Sequence, residues 1–287
     1  MKFSERYGHA PVRSVLQTNG IDDGLRNKLW NLVCESFFYS APKSRGEESG
    51  LPFHLHHGDY EFFVHLWGNY FKLTTDSIGD SHFAAIAKLK GHFFDTEWYS
   101  IYDLFEFLAN SIPETNIKRQ FILDLNKVLK EELAGYSFIS GQFVQITGED
   151  EIASIEQALA LPNALRAVTA HLQQALVLLA NKKAPDYRNS IKESISAVES
   201  LSKILSGMPR ATLGEALNAV DKKAQLHRSL KEAFQKLYSY TSDAQGIRHA
   251  LMDEPTLDLE DAKFMLVSCS AFVNYMVVKA QKAGIKV

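Results

Sequence analysis

The sequence predicts a mostly α-helical protein of two domains, in which a helical first half ends in a small β-hairpin and a helical bundle follows. Three observations support this fold class. Apolar residues recur at helical spacing along most of the chain, turn residues interrupt that spacing repeatedly, and strand-like alternation occurs near residue 140. The length of 287 residues fits two domains of about 100–200 residues each.

The first half is predicted to begin with an arm, residues 1–20, that packs on the domain. Asp22 and Asp23 then provide an N-terminal signal for a helix. Leu25, Leu29, Leu32 and Val33 follow at the spacing of one helix face. Residues 40–58 are a loop by composition. Further helices are predicted at 60–73, in 80–110 (two helices, with Asp95 and Thr96 capping the second) and at 117–133.

A β-hairpin is predicted at residues 136–146, because apolar residues alternate on both sides of the turn-forming pair Ser140-Gly141. Thr147 and Gly148 end this segment, and Glu149 and Asp150 begin a helical pattern. The predicted domains are therefore 1–148 and 149–287.

The second half is predicted to be a series of helices separated by proline and glycine. The two longest show the spacing of a buried face, with Ile191, Ile195, Val198 and Leu205 in one. Ala262, Met265, Cys269, Phe272 and Met276 form that face in the other. The predicted bounds are 149–160, 163–182, 186–206, 213–222, 224–241 and 258–283.

Composition restricts the location and the class of partner. The net charge of −3 is not typical of a nucleic-acid-binding domain, so any contact with RNA must come from a local cluster. Cys34 and Cys269 lie in apolar helical patterns and are predicted to be buried thiols. The first residues carry charges without an apolar stretch, and no run of about 18 apolar residues follows. We therefore expect no signal peptide, no membrane span and a cytoplasmic location.

The motifs of nucleotide-binding loops, zinc proteases and serine hydrolases are absent from the sequence, which predicts no cofactor. The densest histidine cluster is FHLHHGDYEFFVH, with His54, His56 and His57. Histidines in a loop can chelate a metal, but a polar loop before a helix explains the same residues. We predict no metal site here and retain metal binding as the alternative.

The segment GIRHALMDEP carries the most unusual chemistry, because Arg248 and His249 are adjacent, with Asp253 and Glu254 close behind. A cation beside histidine disfavours the imidazolium. A neutral imidazole can accept the proton of an RNA 2′-hydroxyl, and arginine can hold the phosphate. Such a pair could cut RNA without metal. In the alternative interpretation, Arg248 pairs with an acidic neighbour and His249 caps a helix.

Two further groups in the second half carry polar side chains that could face a substrate. Arg188, Asn189 and Lys192 lie at the start of the helix that follows Asp186, either as a solvated face or as contacts for an RNA substrate. Arg166 and His171 are separated by five positions, which points their side chains about 140° apart on a helix. These two are predicted to be unrelated surface residues.

The two halves of the chain resemble a known combination of domains. RYGHAPVRSVLQTNGIDDGLRNKLWNLV, with the hairpin AGYSFISGQFVQIT, resembles the AbiJ-type N-terminal domain of bacterial abortive-infection proteins. DYRNSIKESISAVESL, with SYTSDAQGIRHALMDE and AKFMLVSCSAFVNYM, resembles the HEPN-type C-terminal region attached to it. The resemblance implies a HEPN-like bundle of four to five helices, often dimeric, in an anti-phage protein.

The resemblance also implies a function. Active HEPN proteins are metal-independent endoribonucleases whose motif is an arginine, a polar residue, a few residues and a histidine. Arg248 matches the arginine and His249 the polar position, but Asp253 and Glu254 stand where the histidine is expected. We therefore predict that Arg248 and His249 are catalytic, and that Arg188, Asn189, Lys192 and Asp253 contact the substrate. The substrate would be tRNA or mRNA, and a phage or host trigger would bind the N-terminal domain. The alternative is an inactive HEPN-type module for sensing and dimerisation.

Overall fold

The computed structural model describes residues 3–7, 15–38, 57–181, 183–242 and 257–285. The protein is mostly helical with one small two-stranded sheet, which confirms the predicted fold class. The chain divides into two compact units, Met1–Phe143 and Val144–Val287, here called the N-terminal and C-terminal units. The boundary predicted after residue 148 lies a few residues beyond this division.

The N-terminal unit contains short helical segments joined by irregular ones. Two of its helices, α2 and α3, continue directly into π-helical turns at Cys34–Phe38 and Leu66–Phe71, and a 3₁₀ turn lies at Thr75–Ser77. Its helices are α1 (Phe3–Arg6), α2 (Asp23–Val33), α3 (His57–His65), α4 (His82–Asp95), α5 (Trp98–Ser111) and α6 (Asn116–Glu131).

Helix α2 begins and packs as its sequence predicts. The Asp22 carboxylate accepts a hydrogen bond from the backbone N–H of Leu25 at 2.9 Å, which caps the helix. The predicted apolar face is buried, and every one of its four residues is at most 5% exposed. These residues join one aromatic-rich core that includes Trp30, Phe63, Trp67, Phe93 and Phe105.

The prediction that Asp95 and Thr96 cap α5 is wrong. Asp95 is the last residue of α4, and Thr96 is its C-cap. The Arg26 guanidinium donates to the carbonyls of Phe93, Phe94 and Thr96 at 2.9–3.1 Å, which satisfies the end of α4 at this point. Helix α5 therefore starts later, with Glu97 as its N-cap and no side-chain cap.

The predicted hairpin is confirmed as strands β1 (Ser137–Ile139) and β2 (Gln142–Val144). Its turn residues Ser140 and Gly141 have φ of 49° and 94°. Positive φ at both central positions is the geometry of a tight type I′ turn, for which glycine is suited because it lacks a Cβ.

The described end of the predicted arm packs beside this hairpin. The N–H of Gln17 donates to the Leu133 carbonyl at 2.8 Å, and the N–H of Gly135 donates to the Gln17 carbonyl at 2.9 Å. A Cβ at residue 135 would lie 2.6 Å from the Thr18 side chain and 2.8 Å from the Gln17 carbonyl. Glycine is therefore required for this close approach of two backbones.

The C-terminal unit is a bundle of longer, regular helices. Helix α9 contacts α8, α10, α11 and α12, while α12 also contacts α7, α8 and α10. The apolar faces predicted for the two longest helices are buried, as expected. The helices are α7 (Glu149–Leu159), α8 (Arg166–Ala180, after a 3₁₀ turn at Asn163–Leu165), α9 (Tyr187–Ser206), α10 (Leu213–Ala224), α11 (Arg228–Ser242) and α12 (Leu259–Lys282).

Small residues allow α8 and α9 to pack closely. Ser190, Ser194 and Ser202 are completely buried on α9. The Ser190 hydroxyl donates to the Ala175 carbonyl of α8 at 2.8 Å, and the other two donate to carbonyls one turn earlier in α9. Each buried hydroxyl is thus paired, which avoids the cost of an unsatisfied polar group.

Within the described residues, α12 is long and apolar enough by length and composition to cross a membrane, and half of the stretch concerned is buried inside the structure. Its buried face packs against α7, α8, α9 and α10. Core helices of globular units pass the same test of length and composition, and these contacts are those of a core helix.

Candidate functional site

The structure describes part of the predicted RNA site. Arg248, His249 and Asp253 lie outside the described residues, between the end of α11 and the start of α12. Their predicted roles therefore stay predictions. Arg188, Asn189 and Lys192 lie in the first two turns of α9.

The start of α9 is organised around its cap. The Asp186 carboxylate accepts from the backbone N–H of Asn189 at 3.0 Å and from the side-chain amide of Asn189 at 2.7 Å. This amide is therefore engaged in stabilising the helix end, which leaves less of its hydrogen-bonding capacity for a substrate. Lys192 is exposed and Arg188 is partly buried.

A histidine–carboxylate pair joins α8 to α9. The Nδ1 atom of His171 lies 2.7 Å from Oε2 of Glu193, and the two side chains are 36% and 24% exposed. Arg166 is exposed one helical turn earlier and is separate from this pair. The prediction that Arg166 and His171 are unrelated is consistent with this arrangement, but His171 is a bridging residue between helices rather than a simple surface residue. Its partner is distant in sequence, so periodicity alone could not reveal it.

The burial predicted for the two cysteines is confirmed. Cys34 and Cys269 are both buried. Burial raises the pKa of the Cys269 thiol to about 12, so this group stays protonated and is not a nucleophile at neutral pH.

The described residues contain no candidate metal site. In the described ranges, no three His, Cys, Asp or Glu side chains are grouped so that they could hold an ion. His54 and His56 lie outside these ranges, as does the side chain of His57.

A concave site with mostly apolar walls lies in the N-terminal unit. It is a cavity of about 600 Å³ between the π-turn after α2 and helices α3, α5 and α6. Its described walls are mostly apolar, with four phenylalanines among them. The lining residues are Leu32, Glu35, Ser36, Phe37, Phe62, His65, Leu66, Phe107, Leu108, Ser111, Ile112, Pro113, Ile117, Gln120, Phe121 and Asp124.

Aromatic contacts hold the walls of this cavity in place. Phe37 stacks on Phe62 with ring centroids 4.9 Å apart, and it meets Phe121 edge-on at 5.5 Å. On another side, the His65 ring stacks on Phe107 at 5.2 Å. Because each ring is fixed by a neighbour, the cavity is largely preformed.

A short hydrogen-bond chain orients His65. The amide nitrogen of Asn69 can only donate, and it lies 3.0 Å from Nδ1 of His65. This network assigns the proton of the neutral ring to Nε2, which then donates to the Ser111 hydroxyl at 3.2 Å. The hydroxyl proton of Ser111 is thereby directed away from His65, and Ser111 lines the cavity.

The charged groups that line the cavity are acidic. Asp124 accepts two hydrogen bonds of 3.1 Å from the Gln120 amide, which orients its carboxylate. Glu35 lines another part of the wall. Among the described lining residues there is neither lysine nor arginine, so these carboxylates face the cavity without a basic residue beside them in its wall.

A second hollow of about 560 Å³ lies elsewhere in the same unit and is lined in part by Tyr70, Phe71 and His92. Burial and the charge of Asp103 raise the pKa of Tyr70 to about 12. The Tyr70 hydroxyl donates to the Ser100 carbonyl at 2.8 Å, which indicates a structural role.

Glu106 of α5 is similarly occupied. Burial raises its pKa, and its carboxylate accepts from the backbone N–H of Phe143 at 2.6 Å. The carboxylate thus supports the hairpin.

Sequence reasoning missed the large cavity. Its lining residues come from four separate segments, and none of these segments carries a recognisable motif. The available signal was the run EFFVH, in which Phe62 and His65 share a helix face.

Comparison with known proteins gives one match. The family model described as AbiJ N-terminal domain 4 matches residues 1–161, which include the whole N-terminal unit and helix α7. No curated protein and no solved structure matches the chain.

Proposed function

The chain belongs to the AbiJ N-terminal domain 4 family, and from this membership we propose that it is an anti-phage effector that cuts RNA through Arg248 and His249. An AbiJ-type domain gives the protein a role in abortive infection, a form of antiviral defence. RNA cleavage is the further step, and the adjacent Arg248 and His249 are the observation that carries it. The helical C-terminal unit is compatible with the bundle that the HEPN resemblance implies.

The proposed chemistry needs no metal. The His249 imidazole takes the proton of a 2′-hydroxyl, whose oxygen attacks the adjacent phosphorus. The bond from phosphorus to the 5′ oxygen breaks, leaving a 2′,3′-cyclic phosphate and a 5′-hydroxyl after that oxygen takes a proton. Arg248 stabilises the charge that builds on the phosphate oxygens. The proposed substrate contacts are Arg188, Lys192, Asn189 and Asp253, and the amide of Asn189 also donates to Asp186.

The test is an RNA cleavage assay in EDTA, with the purified full-length protein and either total RNA or tRNA. We expect His249→Ala to lower the cleavage rate by about 10²–10⁴-fold, as is usual when a proton-transfer group is lost. Arg248→Ala should also abolish cleavage. His171→Gln is the matched control, because His171 is a histidine of the same unit that bonds to Glu193.

Two outcomes would contradict this assignment. Undiminished cleavage by His249→Ala would show that His249 is not the base. Loss of cleavage in His171→Gln, with cleavage retained in His249→Ala, would identify His171 of α8 as the base.

A second candidate function is an inactive sensing and dimerisation module. Asp253 and Glu254 favour it, because they stand where the resembling motif has its histidine. A carboxylate is not an effective acid at neutral pH unless its pKa is strongly raised. This candidate predicts a cytoplasmic homodimer that binds a phage or host trigger through the N-terminal unit and does not cut RNA. The EDTA assay separates the two candidates, because only the first cuts RNA, and light scattering after gel filtration tests the predicted homodimer.

A further inference from the structure

We propose that the cavity of the N-terminal unit binds a small organic cation with an apolar, aromatic body. The volume of about 600 Å³ is in the range of sites for drug-sized ligands, about 300–1,000 Å³. A protein partner would need about 800 Å² of contact on each side, which calls for a far larger patch than one cavity wall. The shape therefore favours a small molecule.

The aromatic lining of the cavity favours a ligand with a flat, apolar body. Phe37, Phe62 and Phe107 line the cavity and are each only partly buried. Their rings give the wall an apolar, aromatic surface that favours a flat apolar group. Because these rings are already fixed by stacking on neighbours, little side-chain freedom is lost when a ligand enters.

The charged residues of the lining favour a positively charged ligand. Glu35 and Asp124 line the cavity, and no lysine or arginine is among its described lining residues. Carboxylates attract a cation, and the faces of the phenylalanine rings attract it as well. An anion of the same shape would meet like charge in a mainly apolar site. Ser111 and the two carboxylates supply acceptors for the donor hydrogens of an ammonium group.

The experiment compares two probes that share one ring system, tryptamine as the cation and indole-3-propionate as the anion. Calorimetric titration of the full-length protein at neutral pH should show tryptamine binding with a Kd of about 1 mM, typical for so few atoms. Indole-3-propionate should bind at least about tenfold more weakly, because of like-charge repulsion. In Asp124→Asn the preference for tryptamine should shrink.

Two substitutions on α6 provide a matched pair. Ile117 lines the cavity and is 72% exposed, whereas Leu123 is 63% exposed and is not a lining residue. Both positions tolerate a larger side chain because both are largely in solvent. Ile117→Trp should block tryptamine binding, and Leu123→Trp should leave it unchanged.

These binding measurements use no RNA, so their results do not depend on the proposed cleavage. Equal binding of the two probes would overturn the inference about charge. Tryptamine binding that survives Ile117→Trp would place the ligand elsewhere. Failure of both probes to bind, with a change of oligomeric state in Ile117→Trp, would make the cavity an interface between protein chains.

Discussion

The two units bury different kinds of side chain. Among the described residues, the N-terminal core contains Trp30, Trp67 and Tyr102 together with several phenylalanines, whereas the buried aromatic residue of the C-terminal core is Phe272. Buried serines in the same described ranges show the opposite distribution, with four on α9 and α12 and one, Ser137, in the N-terminal unit.

The two units also differ in the regularity of their helices. The N-terminal unit, with its large buried rings, contains π-helical turns and a cavity of about 600 Å³. Serine and alanine let α8 and α9 approach closely and remain regular. An aromatic core thus favours a preformed ligand site. A core of small residues instead favours a rigid bundle, whose functional groups must lie at helix ends and in connections.

The largest effect on stability is expected when a large side chain is removed from the aromatic core of the N-terminal unit. Phe105 is completely buried and stacks on Phe121 with centroids 6.1 Å apart. Phe105→Ala should lower the free energy of unfolding of the N-terminal unit by about 3–5 kcal/mol. All three tryptophans, Trp30, Trp67 and Trp98, belong to this unit. Tryptophan fluorescence during urea unfolding therefore measures this unit selectively.

A matched control for that variant is Phe264→Ala on α12, since Phe264 is 57% exposed. It should change neither the fluorescence transition nor the circular dichroism transition measurably. A fluorescence midpoint that is unchanged in Phe105→Ala would contradict the assignment of Phe105 to the aromatic core.

The second-largest effect on stability is expected from a larger side chain in the close contact between α8 and α9. Ser190→Leu should destabilise the C-terminal unit by about 2–4 kcal/mol, through overpacking and loss of a buried hydrogen bond. The measurement is far-UV circular dichroism during urea unfolding, where a low-urea phase should appear without an equal shift in tryptophan fluorescence. Ser196→Leu is the control, because Ser196 is on the same helix but only partly buried. Equal shifts of both signals would mean that the two units unfold together.

The smallest effect is expected at the irregular backbone contact beside the hairpin. Gly135→Ala should cost about 1–3 kcal/mol, because its Cβ would collide with Gln17 and Thr18. Gly91→Ala should change the free energy of unfolding in the opposite direction. Gly91 lies inside α4, and outside its own helix backbone no atom lies within 4 Å of the added Cβ. That variant should gain about 0.5–1 kcal/mol. Fluorescence-detected midpoints that move in the same direction for both variants would contradict this account.

Local signals predicted much of the fold. The faces of α2, α9 and α12, the Ser140-Gly141 turn and the burial of both cysteines all follow from patterns within a few residues. A clear error is the cap of α5, at a point where Arg26 binds the end of α4 from far away in sequence. The candidate sites were predicted less completely. His171 was predicted to be a surface residue, its contact with Glu193 was not predicted, and neither was the cavity.

By itself, the sequence determined the elements and their order, since helix periodicity, caps and turns depend on neighbours along the chain. It also supplied the adjacent Arg248 and His249, on which the proposed RNA cleavage depends. Only the tertiary structure decided that Phe37, Phe62, Phe107 and Asp124 surround one cavity. These residues are separated by up to 87 positions. The reason is physical, because a cavity forms where large side chains from different helices fail to fill the space between them, and that depends on packing rather than on local pattern.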